Sequence, residues 1–143
     1  MIKPLGIDPT QCIIAGAWAA ANAGQTLDLT NPSDGTTLCA IARGGAEDID
    51  DAVTAAQAAM DGGCGKTTAA ERGRVLAKIA QLVLDHTEEL ARLEALDVGK
   101  PLTQACADVL ALARYMEFYA GAADKLHGQT IPYLDGYTVY TLR

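Results

Sequence analysis

A chain of 143 residues and 14.9 kDa suffices for one ordinary domain and is too short for two. Hydrophobic types make up 50% of it, charged types 20%, and prolines number only 5, which excludes an intrinsically disordered or collagen-like chain. With 11 basic against 18 acidic residues, a net charge of −7 and no dense basic cluster, neither nucleic acid nor an anionic membrane surface is the expected partner.

Met1 to Thr10 contains Lys3 but is interrupted by Pro4, Gly6, Asp8 and Pro9, so no secretory leader is expected there. The apolar run Cys12 to Ala21 covers about half a membrane span, and a soluble cytoplasmic protein is the expectation. The first forty or so residues read as short strands joined by turns, starting with one strand over 11–19. Asn22-Ala-Gly24 signals a turn. In Thr26-Leu-Asp-Leu-Thr30 the alternation places Leu27 and Leu29 on one face of a strand. Asn31-Pro-Ser-Asp-Gly35 is a strong turn, because Pro32 fixes its own φ and Gly35 tolerates backbone angles costly elsewhere. A third strand is expected over 37–42.

After Gly44-Gly45 the period lengthens. Acids in Ala46-Glu-Asp-Ile-Asp-Asp51 suit a helix N-terminus, and Ile49, Val53, Ala56 and Met60 recur at helical spacing up to Gly62-Gly63. A second helix opens at the capping-box pattern Thr68-Ala-Ala-Glu71 and runs to Gly99, with Val75, Ile79, Leu82, Val83, Leu90 and Leu93 on one broad face. A third follows Lys100-Pro101, with Leu102, Ala105, Val109, Leu112, Met116, Ala120 and Ala123 at steps of three or four. Gly128 and Pro132 end it. Tyr137 to Leu142 then reads as a strand apolar on both faces, in need of a partner that nothing later in this sequence supplies. The 27 alanines against 7 aromatics favour closely packed helices over an aromatic-rich sandwich.

Several local patterns suggest chemistry. Gly62-Gly-Cys-Gly-Lys-Thr67 ends like a phosphate loop, but position 60 is Met where glycine is required, and a helix rather than a strand precedes it. An interhelical loop is the better reading. His86 and Glu89 share a helix surface, yet only His127 remains as a further imidazole, too few ligands for hydrolytic zinc. Cys12, Cys39, Cys64 and Cys106 form no Cys-x-x-Cys pair and are expected to be reduced; Cys64, beside Lys66, has the best local case for thiolate character, and a loop thiol is the plainer reading. Tyr115, Phe118 and Tyr119 are expected in core or interface packing. Asp97 precedes the reversal at Gly99-Lys-Pro101 and suits either a structural cap or contact with a ligand or cation.

Glu94-Ala-Leu-Asp-Val-Gly-Lys-Pro101, Phe118-Tyr-Ala-Gly-Ala-Ala-Asp-Lys125 and Gly128-Gln-Thr-Ile-Pro132 together resemble the N-terminal part of the NAD(P)-dependent aldehyde dehydrogenase superfamily. Gly16-Ala-Trp18, Asn31-Pro-Ser-Asp-Gly35, Ala46-Glu-Asp-Ile-Asp50, Glu71-Arg-Gly-Arg74 and Asp135 to Arg143 match in the same order, from about Cys12 onward. The resemblance implies an α/β fold of the aldehyde dehydrogenase type. Residues 1–135 would be the N-terminal portion of the NAD(P)-binding domain, its short strands plus three helices. Residues 136–143 would begin a β-rich oligomerisation arm, with the catalytic domain absent from these residues.

The resemblance further implies a parent enzyme that oxidises an aldehyde to a carboxylic acid with NAD or NADP and forms a homo-oligomer. A cysteine thiolate would attack the aldehyde, and hydride would pass from the thiohemiacetal to the nicotinamide. A glutamate-activated water would then release the acid. All these catalytic groups, and the main cofactor contacts, would lie beyond this chain, so none of its four cysteines takes the nucleophile's place and the chain alone is expected to be inactive. In some members a monovalent cation is held by backbone carbonyls and an aspartate, at positions matching Leu29, Thr30 and Asp97. Ala111 and Met116 fall on a stretch matching the substrate entrance. Ala122 replaces a tryptophan common in the family. The competing reading is a noncatalytic protein-interaction domain.

Overall fold

The computed structural model describes residues 7–142; most of the N-terminal stretch read above for a leader, and the final Arg143, lie outside them. Three antiparallel two-stranded ladders flank four α-helices: β1 Gln11–Ile14 with β2 Ala17–Ala20, β3 Thr26–Thr30 with β4 Thr37–Ala42, then α1 Ala46–Asp61, α2 Ala69–Asp85, α3 Thr87–Val98 and α4 Leu102–Ala122, and finally β5 Thr130–Ile131 with β6 Val139–Tyr140. This is the α/β arrangement expected, and both β3 and β4 take their expected spans.

Three boundaries differ, each for a local reason. The stretch read as one strand over 11–19 is a hairpin, because Ala15 and Gly16 both adopt positive φ (53° and 77°), as a two-residue type I′ turn requires. Ile14 therefore pairs with Ala17 and Ile13 with Trp18. The helix read from Thr68 to Gly99 is two helices. At His86 (φ −110°, ψ 20°) the backbone leaves helical geometry, and the Thr87 hydroxyl donates back to the Leu84 carbonyl at 2.8 Å. The terminal strand shrinks to Val139–Tyr140 and finds a partner within the chain: Ile131 pairs with Val139 and Thr130 with Tyr140. Its backbone is thus not left unpaired as expected.

Helix starts follow the sequence closely. Thr68 Oγ1 accepts from the Glu71 N–H at 3.3 Å, while Glu71 Oε2 accepts from the Thr68 N–H at 2.8 Å, a reciprocal capping box. Gly99 closes α3 in the left-handed region at φ 72°, its N–H donating to the Ala95 carbonyl at 3.0 Å.

The packed centre of the molecule is made of small side chains. Gly73 and Ala80 of α2, Ala91 of α3, and Ala105, Val109 and Ala113 of α4 are buried. A Cβ on Gly73 would stand 2.7 Å from the Ala120 carbonyl oxygen, so α2 and α4 approach at backbone distance there. The face of α2 turned inward is therefore the glycine–alanine one; of the aliphatic residues expected inside, Val75, Ile79 and Leu82 are exposed, while Val83 and Leu90 are half-buried against that centre. On α1, Ile49, Val53 and Met60 are exposed as well. Tyr115, Phe118 and Tyr119 are also exposed, Phe118 and Tyr119 meeting edge to face at 5.3 Å, outside any core. No large side chain among the described residues is fully buried.

Candidate functional site

The reversal between α3 and α4 is held by one cation. Lys100 Nζ donates to Glu94 Oε1 at 2.6 Å and to Asp108 Oδ2 at 2.7 Å, and Gln104 Nε2 donates to Asp108 Oδ1 at 2.9 Å. The hydrogen bonds that Lys100 donates to Asp108 and to Glu94 raise its pKa above the usual ammonium value of 10.5. Those from Lys100 and then Gln104 lower that of Asp108 below 3.8. Lysine at 100 thus ties the last turns of α3 to the first turns of α4. The motif Glu94 to Pro101 contained both Lys100 and Glu94, but their pairing, and the second partner Asp108, were not singled out.

Asp97 sits on the same reversal and is not the cap. No hydrogen bond or ion pair joins its carboxylate to another described residue; capping falls to Gly99 and bracing to Lys100. It lies in the last turn of α3, where the unpaired carbonyls already make the helix end negative, an arrangement that favours a cation. Leu29 and Asp97 line one open cavity of about 500 Å³, together with Leu38, Cys39, Leu93 and Leu96. Beside it the β3–β4 register shifts between Leu29 and Thr30, interrupting the ladder. The Asn31–Gly35 turn also reaches the reversal: a Cβ on Gly99 would meet Pro32 Cγ at 2.8 Å. Two loops separated by more than sixty residues in sequence therefore share one corner of the fold. Thr30 does not line the cavity.

A second acid connects the hairpins to α1. Asp48, only 6% exposed, accepts from the Gly45 N–H at 2.7 Å and the Asn22 N–H at 2.8 Å. These two backbone donors, Gly45 first, hold its pKa below the ordinary carboxylate value. The connection matters for cofactor chemistry. Strand β4 leads through Gly44-Gly45 into α1, the local order of a dinucleotide-binding turn, yet the carboxylate of Asp48 takes the Gly45 N–H and Glu47 adds a second negative charge in that turn. A pyrophosphate does not fit there. The described residues thus offer no dinucleotide cradle at this turn.

The other candidates resolve simply. Gly62–Thr67 is an interhelical turn containing the 3-10 segment Cys64–Lys66, with the Thr67 hydroxyl donating to the Cys64 carbonyl at 2.6 Å and Arg72 to the Thr67 carbonyl at 2.6 Å. All four cysteines are free thiols: Cys64 is exposed, and Cys12, Cys39 and Cys106 are half-buried. His86 lies 3.5 Å from Glu89 on the surface, and no group of three His, Cys, Asp or Glu side chains gathers to hold a metal among the described residues. On α4, Ala111 is exposed and Met116 half-buried. No helix among the described residues is long and apolar enough to cross a membrane.

Comparison with known proteins connects these features. The aldehyde dehydrogenase family model matches residues 18–143. Aldehyde dehydrogenase family 2 member B4, mitochondrial, of Arabidopsis thaliana is 44% identical over 138 residues, covering 95% of this chain and 26% of that protein. A crystallised Burkholderia cenocepacia chain is 56% identical with a TM-score of 0.85, covering 92% of this chain and 28% of its own. The NAD+ complex of aldehyde dehydrogenase from Bacillus cereus is 38% identical with a TM-score of 0.85, covering 95% and 28%. This chain therefore spans about a quarter of the length of these relatives. With the family model matching most of its length and the backbone superposing on solved members, the chain belongs to the aldehyde dehydrogenase family, whose N-terminal portion it matches.

Proposed function

We propose that residues 1–135 serve as the N-terminal scaffold of the cofactor domain in an enzyme that oxidises an aldehyde to a carboxylic acid with NAD or NADP, and that 136–143 open its oligomerisation arm. The observation that carries this reading is the superposition of the chain on the NAD+-bound Bacillus cereus aldehyde dehydrogenase. In this reading the chain supplies no nucleophile, base or cofactor contact. Its contribution is to position helices and loops around a site built by residues outside it, in a cytoplasmic homo-oligomer.

One ligand site is assigned to the chain itself. The backbone carbonyls of Leu29 and Thr30 and the carboxylate of Asp97 hold a monovalent cation, a hard ion suited to an all-oxygen donor set. The interrupted ladder at Leu29, the shared cavity and the unpartnered acid at a helix C-terminus support that assignment.

A chimera tests the enzymatic reading. In it, residues 18–143 replace the matching region of the Bacillus cereus enzyme. It is expected to reduce NAD+ in the presence of an aldehyde within about tenfold of the parent, while the isolated 143-residue chain shows no turnover. A folded, correctly assembled chimera without turnover would refute the reading. So would turnover by the isolated chain that disappears when one of its own cysteines is substituted.

A further inference from the structure

Two acids of α3 line one cavity, and they differ in what they can offer an ion there. Glu94 and Asp97 stand three residues apart on that helix, a spacing that brings side chains to one face. Both line the cavity of about 500 Å³ that Leu29 also lines. Among the described residues no hydrogen bond or ion pair engages the Asp97 carboxylate, whereas Glu94 Oε1 accepts from Lys100 Nζ at 2.6 Å. Lys100 and Glu94 are both half-buried, so water screens their attraction less than it would on an open surface. Neither Lys100 nor its second partner, Asp108, lines the cavity.

Charge counting then shows what the cavity presents. Asp97 brings one negative charge, and the carbonyl end of α3 adds about half of another. Glu94 would bring a second carboxylate, but the Lys100 ammonium neutralises it and takes up one of its oxygens. Asp108 lies on α4, with its other oxygen accepting from Gln104 at 2.9 Å. One available carboxylate beside backbone carbonyls suits a singly charged ion. Calcium gathers about six to eight oxygens and binds more tightly as the number of charged ligands rises.

We propose that Lys100 sets the valence of the ion at this corner: by engaging Glu94 it leaves Asp97 as the single available carboxylate and so disfavours divalent cations. The inference rests on the cation assignment made above for Leu29, Thr30 and Asp97. It makes Lys100 a specificity-determining residue that acts through Glu94 without touching the ion.

Lys100→Gln tests this, because the amide retains an N–H donor for the two acids and removes the positive charge. The 143-residue chain and its variants are titrated with KCl, NaCl and CaCl2 at constant ionic strength, and followed by calorimetry and thermal melts. Where a substitution unfolds the isolated chain, the chimera described above carries it. Lys100→Gln is expected to bind calcium at least about tenfold more tightly than the wild type, since one further full charge then faces the ion. Adding Glu94→Gln to that variant should abolish the gain. Glu94→Gln alone should leave the potassium or sodium response of the wild type in place, because that carboxylate is already taken.

The inference is overturned, with the cation site intact, by equal calcium affinity in the wild type and Lys100→Gln, or by a calcium gain that survives Glu94→Gln. Loss of the monovalent response in Glu94→Gln alone would also overturn it, by making Glu94 a ligand. A lysine that only braces the reversal would shift the melting temperature equally in all three salts. If neither the wild-type chain nor the chimera responds to potassium or sodium, the cation site itself is refuted, and the role of Lys100 falls with it.

Discussion

Helices α1 and α2 carry equally regular apolar stripes, yet they meet different fates. On α2 the side opposite the large aliphatics, Gly73 and Ala80, is pressed against α4, so the helix is anchored even though Val75 and Ile79 face outward. On α1 only Asp48 is buried, and the helix is tied to the β hairpins by that acid rather than by its apolar side chains. Within this chain, order comes from small residues that let backbones approach and from a few directed hydrogen bonds. Val53, Val75 and Ile79 form a second, outward layer.

The seam between α2 and α4 is where that contrast is broken with the largest effect. In Gly73→Leu a side chain must enter where even a Cβ would sit 2.7 Å from the Ala120 carbonyl. The expected loss is about 3 kcal/mol, read from the urea midpoint at constant slope, because the neighbour is backbone and cannot rotate away. An unchanged midpoint would show that α2 and α4 are not in backbone contact in solution.

That seam also marks how far the sequence could be read. Helical period, capping box and turn residues located α1, the start of α2, α4, β3 and β4, because each signal acts within a few residues of itself. The ordered string of weak motifs identified the family. Which face turned inward was not legible: the period shows that Val75, Ile79 and Leu82 share a side, but burial depends on what lies opposite, and glycine and alanine carry almost no hydropathy signal of their own. The break at His86 was obscured by apolar residues continuing on both sides of it, and the Ala15–Gly16 turn lacks the Asn-Gly or Asp-Gly pair that usually announces such a hairpin. At the candidate cation site, Asp97 was singled out as a cap or a ligand. The structure removes the cap role, because Gly99 closes the helix and Lys100 braces the reversal.

Asp97 lies where the β3–β4 hairpin meets the helical bundle, and it sharpens the comparison at intermediate magnitude. Since its charge adds to the negative end of α3, Asp97→Asn without potassium or sodium is expected to leave stability unchanged or raise it by ~0.5 kcal/mol. Adding either cation should stabilise the wild-type chain more than the variant in thermal melts. Equal salt responses would remove Asp97 from the cation site. A loss of stability on substitution without added cation would restore the cap role that its lack of partners now contradicts.

The smallest effect is expected on α1. Val53 is 63% exposed and Val109 on α4 is 5% exposed, so the same near-isosteric change separates the two layers. Val53→Thr places a hydroxyl in water and is expected to change stability by less than about 0.5 kcal/mol. Val109→Thr must bury that hydroxyl among Ala91, Ala105 and their neighbours, at a cost of about 1–3 kcal/mol. Urea denaturation at two protein concentrations tests the pair. If Val53→Thr costs as much as Val109→Thr and the cost grows with concentration, the α1 face is being covered by another copy of the chain. A similar cost that does not change with concentration would mean that α1 packs its aliphatic stripe inward, and the distinction between the two layers would fail. A near-zero change at both concentrations leaves that stripe as free surface, and the distinction between the two layers stands.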